Sequence, residues 1–384
     1  MNCSAIPRRR RHRLIRMDTE VVVIGGGAAG SSTVRELARR GHDVVLLERF
    51  ARGHAWGSSH GSTRIFRVAY REALYSRLAA EAIPLWRDLE RDSGENLLEQ
   101  TGQLDHGFAP AINEIESTLR AGGWSFDRLS PQEACQRWPG MVFDEAVIYS
   151  PDGGRVFADR TIAALLRLAE GDGADLRFEQ PALAIEPIGD GVRVSTSVGE
   201  VTARVAVVAA GGWLPDLPGL DGFGIALPRL QVTAQAPVHF SIRPGYSFPS
   251  FVHHEGSDAV DHTFAYGAYG LESPGEGVKV GLDTMDVVDD LDARTLDVPD
   301  ASIERAAEYA HRWLPGADTR VASAVSCLFT MTDDSHFILD RRGPVVVMSP
   351  CSGHGFKFTP VLGRIGADVA LGAHTWAPEW RLPV

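Results

Sequence analysis

A short strand that runs into a glycine-rich turn and then a helix is the feature that most constrains this fold. Residues 20–24 form a short, continuous, β-branched run, typical of a strand buried on both faces. The sequence GGGAAG follows at 25–30, and a helical pattern then runs over 31–40. Three glycines of this turn suit a tight bend, close approach of the backbone to a pyrophosphate, and packing of the helix on the strand. They are Gly25, Gly27 and Gly30.

A second strand, at 44–47, ends in an acidic residue. This residue is Glu48, eighteen positions after Gly30. A carboxylate there can accept hydrogen bonds from a ribose diol and repels a 2′-phosphate. The phosphates themselves would lie at the positive N-terminal end of the intervening helix. The ordered set of strand, glycines, helix, strand and acid predicts a dinucleotide-binding domain of the Rossmann type.

A later segment favours FAD over NAD as the dinucleotide. Residues 205–213 form another buried strand that runs into glycines, including Gly211. This segment resembles the second signature strand of FAD-dependent oxidoreductases of the glutathione-reductase type. The alternative is an ordinary strand that ends in a glycine turn. Only one complete phosphate-binding fingerprint occurs, so the sequence does not indicate a separate NAD site.

Length and composition indicate a globular protein of about two domains. The chain has 384 residues, of which 44% are hydrophobic and 23% charged. Its net charge is −12 although residues 1–16 carry six arginines, so the remaining body is strongly acidic and disfavours a nucleic-acid partner. No run of about 18 apolar residues occurs, which argues against a membrane span. We interpret the basic segment 1–16 as a disordered leader, or as the result of an early start codon before Met17.

The remaining pattern predicts two interleaved domains. Amphipathic helices are predicted at 72–91 and 159–170, a strand at 345–348 and a helix after Thr359. Strands, aromatic residues and Gly/Pro turns alternate over about 226–320, which is typical of an antiparallel sheet. The predicted fold class is therefore α/β, with an FAD-binding domain interleaved with an α+β substrate domain. The predicted limits are 17–90, 150–225 and 321–384 for the FAD-binding domain, and 91–149 and 226–320 for the substrate domain.

The rarity of lysine singles out two positions. The chain contains thirty-six arginines but only Lys279 and Lys357, each beside glycines. Lysine is a compact charge on a flexible stem, whereas arginine is a rigid planar fork, so the two are not interchangeable. Codon bias alone could explain the rarity.

The four cysteines are Cys3, Cys135, Cys327 and Cys351. Their spacing fits neither a metal site nor a disulfide framework, which favours a reducing cytoplasm.

Four segments together resemble the family of monomeric sarcosine oxidase and N-methyltryptophan oxidase, within the D-amino-acid-oxidase-like flavoproteins. They are residues 60–67, 277–281, 324–340 and 352–358. The resemblance covers essentially the whole chain after Met17. It implies bound FAD, a small amino-acid substrate, O₂ as the electron acceptor and a monomer.

The resemblance also implies a covalent flavin. Cys327 matches the cysteine that this family joins through sulfur to the 8α carbon of FAD. The alternative is that Cys327 is a small buried side chain, the commonest role of a free cysteine. Cys351 does not match the tether position, and we interpret it as a packing residue. The loop with Gly353, Gly355 and Phe356 is expected to contact the flavin.

Three basic residues acquire roles from the same resemblance. Arg67 and Lys357 match the pair that holds the substrate carboxylate, for which a two-donor fork and a point charge are well suited. Lys279 matches the residue proposed to activate oxygen, where a fixed positive charge stabilises the negative charge that develops on O₂. Arg64 matches a residue beside the flavin.

His60, His354 and Tyr266 complete the predicted pocket, although a single His or Tyr is more often a satisfied core residue. One position departs from the family. Sarcosine oxidase carries a histidine where this chain has Asp283, which puts sarcosine itself in doubt as the substrate.

The sequence therefore leads to the hypothesis of an FAD-dependent oxidase of a secondary amino acid, N-methylated or cyclic, that yields an imine and hydrogen peroxide. One alternative is a flavin oxidase that tailors a cyclic imino acid in secondary metabolism. Another is a flavin-containing binding or redox-sensing module without turnover.

Overall fold

The computed structural model describes residues 17–256, 267–282, 286–373 and 377–383. The predicted basic leader, Tyr266 and Asp283 lie outside these ranges.

A mixed eight-stranded sheet forms the predicted dinucleotide-binding domain. Its strands are β1 (Thr19–Ile24), β2 (Val44–Leu47), β9 (Asp175–Arg177), β10 (Ala182–Ile188), β11 (Gly191–Thr196), β12 (Gly199–Val208), β21 (Ile338–Arg342) and β22 (Val345–Ser349). The strand order is β10-β11-β12-β1-β2-β9, and β22 lies between β12 and β21. Parallel pairing joins β1 to β2 and β12, so their carboxyl ends meet at one edge of the sheet.

Helices cover one face of this sheet. They are α1 (Ala28–Arg39), α2 (Ala73–Ser93), α5 (Ala158–Gly171) and α7 (Thr359–Ala370). Alternate residues of β1, such as Val21 and Val23, pack in one core with these helices, while Val22 and Ile24 belong to a second core on the opposite face. This two-sided burial explains why β1 reads as a continuous apolar run. Helix α1 begins three residues before the predicted start, because the extended Gly27 is its N-cap.

A second eight-stranded sheet forms the predicted substrate domain. Its strands are β5 (Gln103–Gly107), β6 (Asp127–Leu129), β7 (Val147–Ser150), β14 (Val238–Ile242), β15 (Ser250–His254), β16 (Ala268–Ser273), β17 (Gly277–Leu282) and β19 (Ala317–Ala324). They lie in the order β19-β14-β17-β16-β15-β5-β7-β6. The pairing is antiparallel, as predicted, except between β5 and β15, where two separate stretches of the chain meet. The remaining helices are α3 (Ala109–Gly122), α4 (Pro131–Arg137) and α6 (Asp300–Trp313).

Two three-stranded sheets complete the fold. One contains β3 (Thr63–Phe66), β4 (Leu98–Glu99) and β8 (Gly154–Phe157); the other contains β13 (Leu230–Gln235), β18 (Asp286–Val287) and β20 (Cys327–Thr332). The chain passes back and forth between the two large sheets, which confirms the predicted interleaved α/β fold class. The residue limits of the two domains stay a prediction. None of the helices in the described ranges is both long enough and apolar enough to span a membrane.

The contact between α1 and the turn before it gives a first test of the fold. A methyl group at Gly30 would overlap the carbonyl oxygen of Gly25, which belongs to the backbone and cannot turn aside. We expect Gly30→Ala to lower the free energy of unfolding by about 1–3 kcal/mol and to weaken FAD retention. Thermal unfolding and the flavin absorbance of the purified protein measure both effects.

Gly171→Ala is the matched control. Gly171 ends α5, and a methyl group there meets no atom within 4 Å. This variant should be neutral or slightly stabilising, because glycine is a poor helix residue. If both variants unfold alike, close packing at Gly30 is not what holds α1 on β1.

Candidate functional site

A single large cavity joins the predicted dinucleotide site to the predicted substrate site. Its volume is about 1280 Å³, and it extends from the glycine turn after β1 to the loop before α7. With the exception of Gly30, the predicted site residues within the described ranges line it. They are Gly25, Gly27, Glu48, His60, Arg64, Arg67, Gly211, Lys279, Cys327, Gly353, His354, Gly355, Phe356 and Lys357. Gly30 itself is buried beneath the turn.

The cradle at the end of β1 is shaped by missing side chains. Gly25 has φ +102°, and a Cβ on it would overlap the carbonyl oxygen of Ala209 at the end of β12. The turn can therefore lie against the neighbouring strand only because this residue is glycine. The positive N-terminal end of α1 follows directly, which suits a pyrophosphate. The residues present therefore fit a dinucleotide.

Glu48 is fixed at the wall of the cavity next to this cradle. One carboxylate oxygen accepts a hydrogen bond of 2.6 Å from the Gly26 N–H, and the other accepts one of 2.8 Å from the Phe50 N–H. The side chain is almost completely buried. Glu48 thus links the end of β2 to the phosphate turn, and its contact with a ribose stays a prediction.

Cys327, the first residue of β20, is buried at the cavity wall. Its Sγ lies 3.7 Å from Arg64 Nη2 and 3.8 Å from the Ser58 carbonyl oxygen. Cys351 also lines the cavity, which the packing interpretation did not anticipate. Burial raises the pKa of the Cys351 thiol, which lowers its thiolate fraction at neutral pH.

Arg64 is held by backbone carbonyls. Its Nη1 donates to the Thr63 oxygen at 2.8 Å, and its Nη2 donates to the His60 oxygen at 2.6 Å. Burial, followed by the nearby Arg64 charge, lowers the pKa of His60 to about 4. His60 is therefore a neutral imidazole at physiological pH, and it cannot serve there as a cationic ligand for a carboxylate.

Arg67 and Lys357 lie on the same aromatic ring, on the predicted substrate side. The Arg67 Cζ is 4.0 Å and the Lys357 Nζ is 5.7 Å from the centroid of the Tyr70 ring. Both cations are buried, at 3% and 6% exposure. Lys357 Nζ donates to the His354 carbonyl oxygen at 2.6 Å. Burial, and then the Arg67 charge, lower the pKa of Lys357 well below its ordinary value. The two cations are thus adjacent and desolvated, an arrangement that a carboxylate anion would stabilise.

His354 supports this pair as a neutral residue. Its Nε2 lies 3.3 Å from the Ser335 carbonyl oxygen, which can only accept, so Nε2 carries the proton. Its Nδ1 is 3.4 Å from the Tyr70 hydroxyl. Burial and then Lys357 lower the pKa of His354 well below its ordinary value.

Lys279 reaches the cavity from another element, β17. Its Nζ donates to the Thr63 carbonyl oxygen at 2.8 Å. Burial, and then the Arg64 charge, lower its pKa to about 7, although Glu276 and Asp159 act in the opposite direction. The chain's two lysines therefore line one cavity, where Lys279 donates to the Thr63 carbonyl oxygen and Lys357 donates to that of His354.

Two residues near the substrate side were missed by the sequence analysis. Tyr269 lines the cavity on β16, beside the strand that carries Lys279. The dipeptide Tyr-Gly occurs at both 266 and 269. Leu271 pairs with Lys279, and Tyr269 lies two residues before Leu271 on the same face of the strand. Strand alternation could therefore have identified the second copy. Asp105, on β5, is completely buried and lies 3.5 Å from Arg67. No strand was predicted over 103–107, and no local pattern marks Asp105 as a site residue.

Comparison with known proteins also indicates a flavin-dependent oxidoreductase, over most of the chain. The family model described as FAD dependent oxidoreductase matches residues 20–369. Monomeric sarcosine oxidase of Streptomyces avermitilis is 32% identical over 370 residues, which cover 94% of this chain and 95% of that protein. N-methyl-L-tryptophan oxidase of Escherichia coli O157:H7 is 28% identical, covering 92% of this chain and 95% of the relative.

A solved structure is similar in fold throughout. NikD, described as an unusual amino acid oxidase essential for nikkomycin biosynthesis, superposes with a TM-score of 0.82 at 28% identity, covering 95% of this chain and 97% of that chain. The family match spans both eight-stranded sheets and the cavity between them. The chain therefore belongs to the family of FAD-dependent oxidoreductases and is a sarcosine-oxidase-like member of it.

Proposed function

We propose that this protein oxidises secondary amino acids, N-methylated or cyclic, to imines with the formation of hydrogen peroxide. The observation that carries the proposal is the pair of adjacent buried cations, Arg67 and Lys357, on one side of a flavin-sized cavity. A secondary amino acid has the carboxylate that such a pair binds and the C–H beside nitrogen that flavin oxidases attack.

The clamp binds and orients the substrate. A guanidinium offers two parallel donors to a carboxylate, while an ammonium adds a point charge. Because both cations are already desolvated, pairing with an anion recovers stabilisation that was lost when they were buried. Both cations lie against the Tyr70 ring. The carboxylate would thereby be fixed at one end, which leaves the amine end of the substrate to occupy the rest of the cavity, where Tyr269 and Leu271 are among the lining residues.

When bound, the flavin supplies a two-electron acceptor for the C–H bond beside nitrogen and returns those electrons to O₂. The cradle at Gly25 and Gly27 with Glu48 would hold its ADP portion, and Cys327 would form the covalent link. His60 and His354 stay neutral, so they add no charge to the cavity.

Lys279 provides the oxygen site in this proposal. Its ammonium is fixed by the Thr63 carbonyl in a buried environment, so no reorganisation is needed when negative charge develops on O₂. A compact ammonium can approach a diatomic molecule more closely than a guanidinium fork can.

A second candidate function is the oxidation of a cyclic imino acid in secondary metabolism. The specific support is the similarity to NikD, with a TM-score of 0.82 over 95% of this chain. The two candidates share the clamp and differ only in the substrate and in how far it is oxidised. A product that absorbs in the near ultraviolet would favour the second.

A panel of amines tests the function directly. We expect N-methyl and cyclic amino acids to bleach the flavin without oxygen and to release peroxide with it. The corresponding amino amides, which lack a carboxylate, should react at least tenfold less efficiently, because the clamp cannot bind them. Flavin absorbance and a peroxide assay provide the measurements. A flavin that no secondary amino acid reduces would refute the proposal. We also expect a cytoplasmic monomer, which size-exclusion chromatography checks for the oligomeric state.

The covalent tether has a paired test in the two cavity cysteines. We expect acid-precipitated parent protein to retain its yellow flavin in the pellet, and Cys327→Ser to release it. Cys351→Ser is the matched control, because Cys351 lines the same cavity but has its thiol pKa raised by burial. It should keep the flavin bound. A parent protein that releases its flavin would show that no tether forms.

The two lysines separate the two half-reactions. We expect Lys279→Arg to slow reoxidation by O₂ at least tenfold and Lys279→Met by roughly 10²–10³-fold, with flavin reduction little changed. Lys357→Arg should instead weaken substrate binding and slow reduction, with reoxidation unchanged. Stopped-flow absorbance measures both steps separately, so each variant is the control for the other.

The pH dependence of reoxidation follows from the same residue. Because the pKa of Lys279 is lowered to about 7, its ammonium is charged below that pH and is lost above it. Reoxidation should therefore slow as the pH rises through about 7, and Lys279→Met should lose this dependence. A parent rate that is constant across this range would contradict the role of Lys279.

A further inference from the structure

A buried carboxylate lies behind the clamp and outside the cavity. Asp105 has no exposed surface, and its Oδ1 is 3.5 Å from Arg67 Nη1. The arginine side chain is itself only 4% exposed. Aspartate is almost never fully buried unless it is paired. Its partner here is one of the two cations to which the proposed function assigns substrate binding.

Two side-chain donors hold this carboxylate on the side away from the cavity. Gln103 Nε2 donates to Oδ2 at 2.8 Å, and His254 Nε2 donates to Oδ1 at 2.8 Å. Gln103 and Asp105 lie two residues apart on β5, so their side chains lie on the same face. His254 comes from the adjacent parallel strand β15. Asp105 is therefore held by two neighbouring strands of the substrate-domain sheet, and it can fix Arg67 in turn.

The clamp needs a negative charge before substrate arrives. Arg67 and Lys357 share the Tyr70 ring at 4.0 and 5.7 Å, with both side chains buried. Two like charges in a desolvated site destabilise each other, and the lysine can escape by losing its proton. Lys357 in that state would no longer attract a carboxylate.

We propose that Asp105 is a positioning residue that acts as the resident counter-ion of the clamp, holding Arg67 in place and keeping Lys357 charged between turnovers. The inference rests on the proposed function, because it requires the clamp to bind a carboxylate.

Other charged or titratable groups face the clamp, but none replaces Asp105. His354 and Tyr70 contact Lys357 or Arg67 as uncharged groups, since burial lowers the pKa of His354 and raises that of Tyr70 to about 12. Glu72 also acts on Arg67, but burial raises the pKa of its carboxyl group. The Asp105 carboxylate, in contrast, lies within ion-pair distance of Arg67.

The test measures binding of a ligand that cannot be oxidised. Furan-2-carboxylate is titrated into the flavin-loaded protein across a range of pH, and its dissociation constant is read from the flavin absorbance. Binding should weaken above the pKa of the Lys357 ammonium. In Asp105→Asn we expect this midpoint to move down by about one pH unit, which is roughly tenfold weaker binding at a pH above both midpoints. Furan-2-carboxamide, which carries no charge, should show no such shift.

Matched variants isolate the charge of Asp105. Asp159→Asn removes one carboxylate beside Lys279, on the other side of the cavity, and should keep the parent's midpoint. Lys357→Met should remove the pH dependence altogether. Asp105→Glu retains the charge and should keep the midpoint even if its longer side chain weakens affinity, and this comparison stands if Asp105→Asn does not fold.

The outcomes separate the inference from the function on which it rests. If the parent binds no furan-2-carboxylate at any pH, the clamp and the proposed function both fail. If the parent binds it but Asp105→Asn follows the same pH curve, only the role of Asp105 is overturned. A downward shift of about one pH unit in Asp105→Glu relative to the parent would also overturn it, because packing rather than charge would then set the midpoint.

Discussion

The burial of several cations around one cavity is the constraint on which the rest of the structure depends. An isolated buried charge costs several kcal/mol unless polar partners replace its water. Lys279 and Arg64 both donate to the Thr63 carbonyl oxygen, and Lys357 donates to that of His354. Backbone oxygens are fixed by the fold and cannot titrate away. The positions of β3 and of the loop before α7 are therefore set by the cations that they must solvate.

The interleaved chain makes this arrangement possible. Strand β17 brings Lys279 from the substrate-domain sheet to the Thr63 carbonyl on β3. The Trp86 indole N–H on α2 donates at 2.8 Å to the Lys357 carbonyl oxygen, which ties the clamp loop to a helix of the flavin-binding half. Each cation is thus held where separate parts of the chain meet. A fold of two consecutive, independent domains would provide only a surface contact at this place.

Local sequence could predict the parts of this site that are formed by residues close together in the chain. The glycine turn with Glu48 follows from backbone geometry and from the spacing of adjacent elements, so the cradle was predicted residue by residue. Lys279, Lys357 and Arg67 could be placed only through a family resemblance, because no periodic pattern marks the segments that carry them. Asp105 and Tyr269 were missed because their roles depend on strand register. The parallel pairing of β5 with β15 joins residues about 150 positions apart, and no local pattern encodes it.

The same cations also explain, under the proposed function, how the substrate amine loses its proton without a dedicated base. A secondary amino acid enters as a zwitterion, and the clamp attracts only its carboxylate end. Its ammonium end then lies in a desolvated cavity near Arg64, Arg67 and the two lysines. Both desolvation and like charges lower the pKa of an ammonium group. His60 and His354 are uncharged, so they do not alter this balance. The charges that bind one end of the substrate therefore favour the neutral, reactive amine at the other.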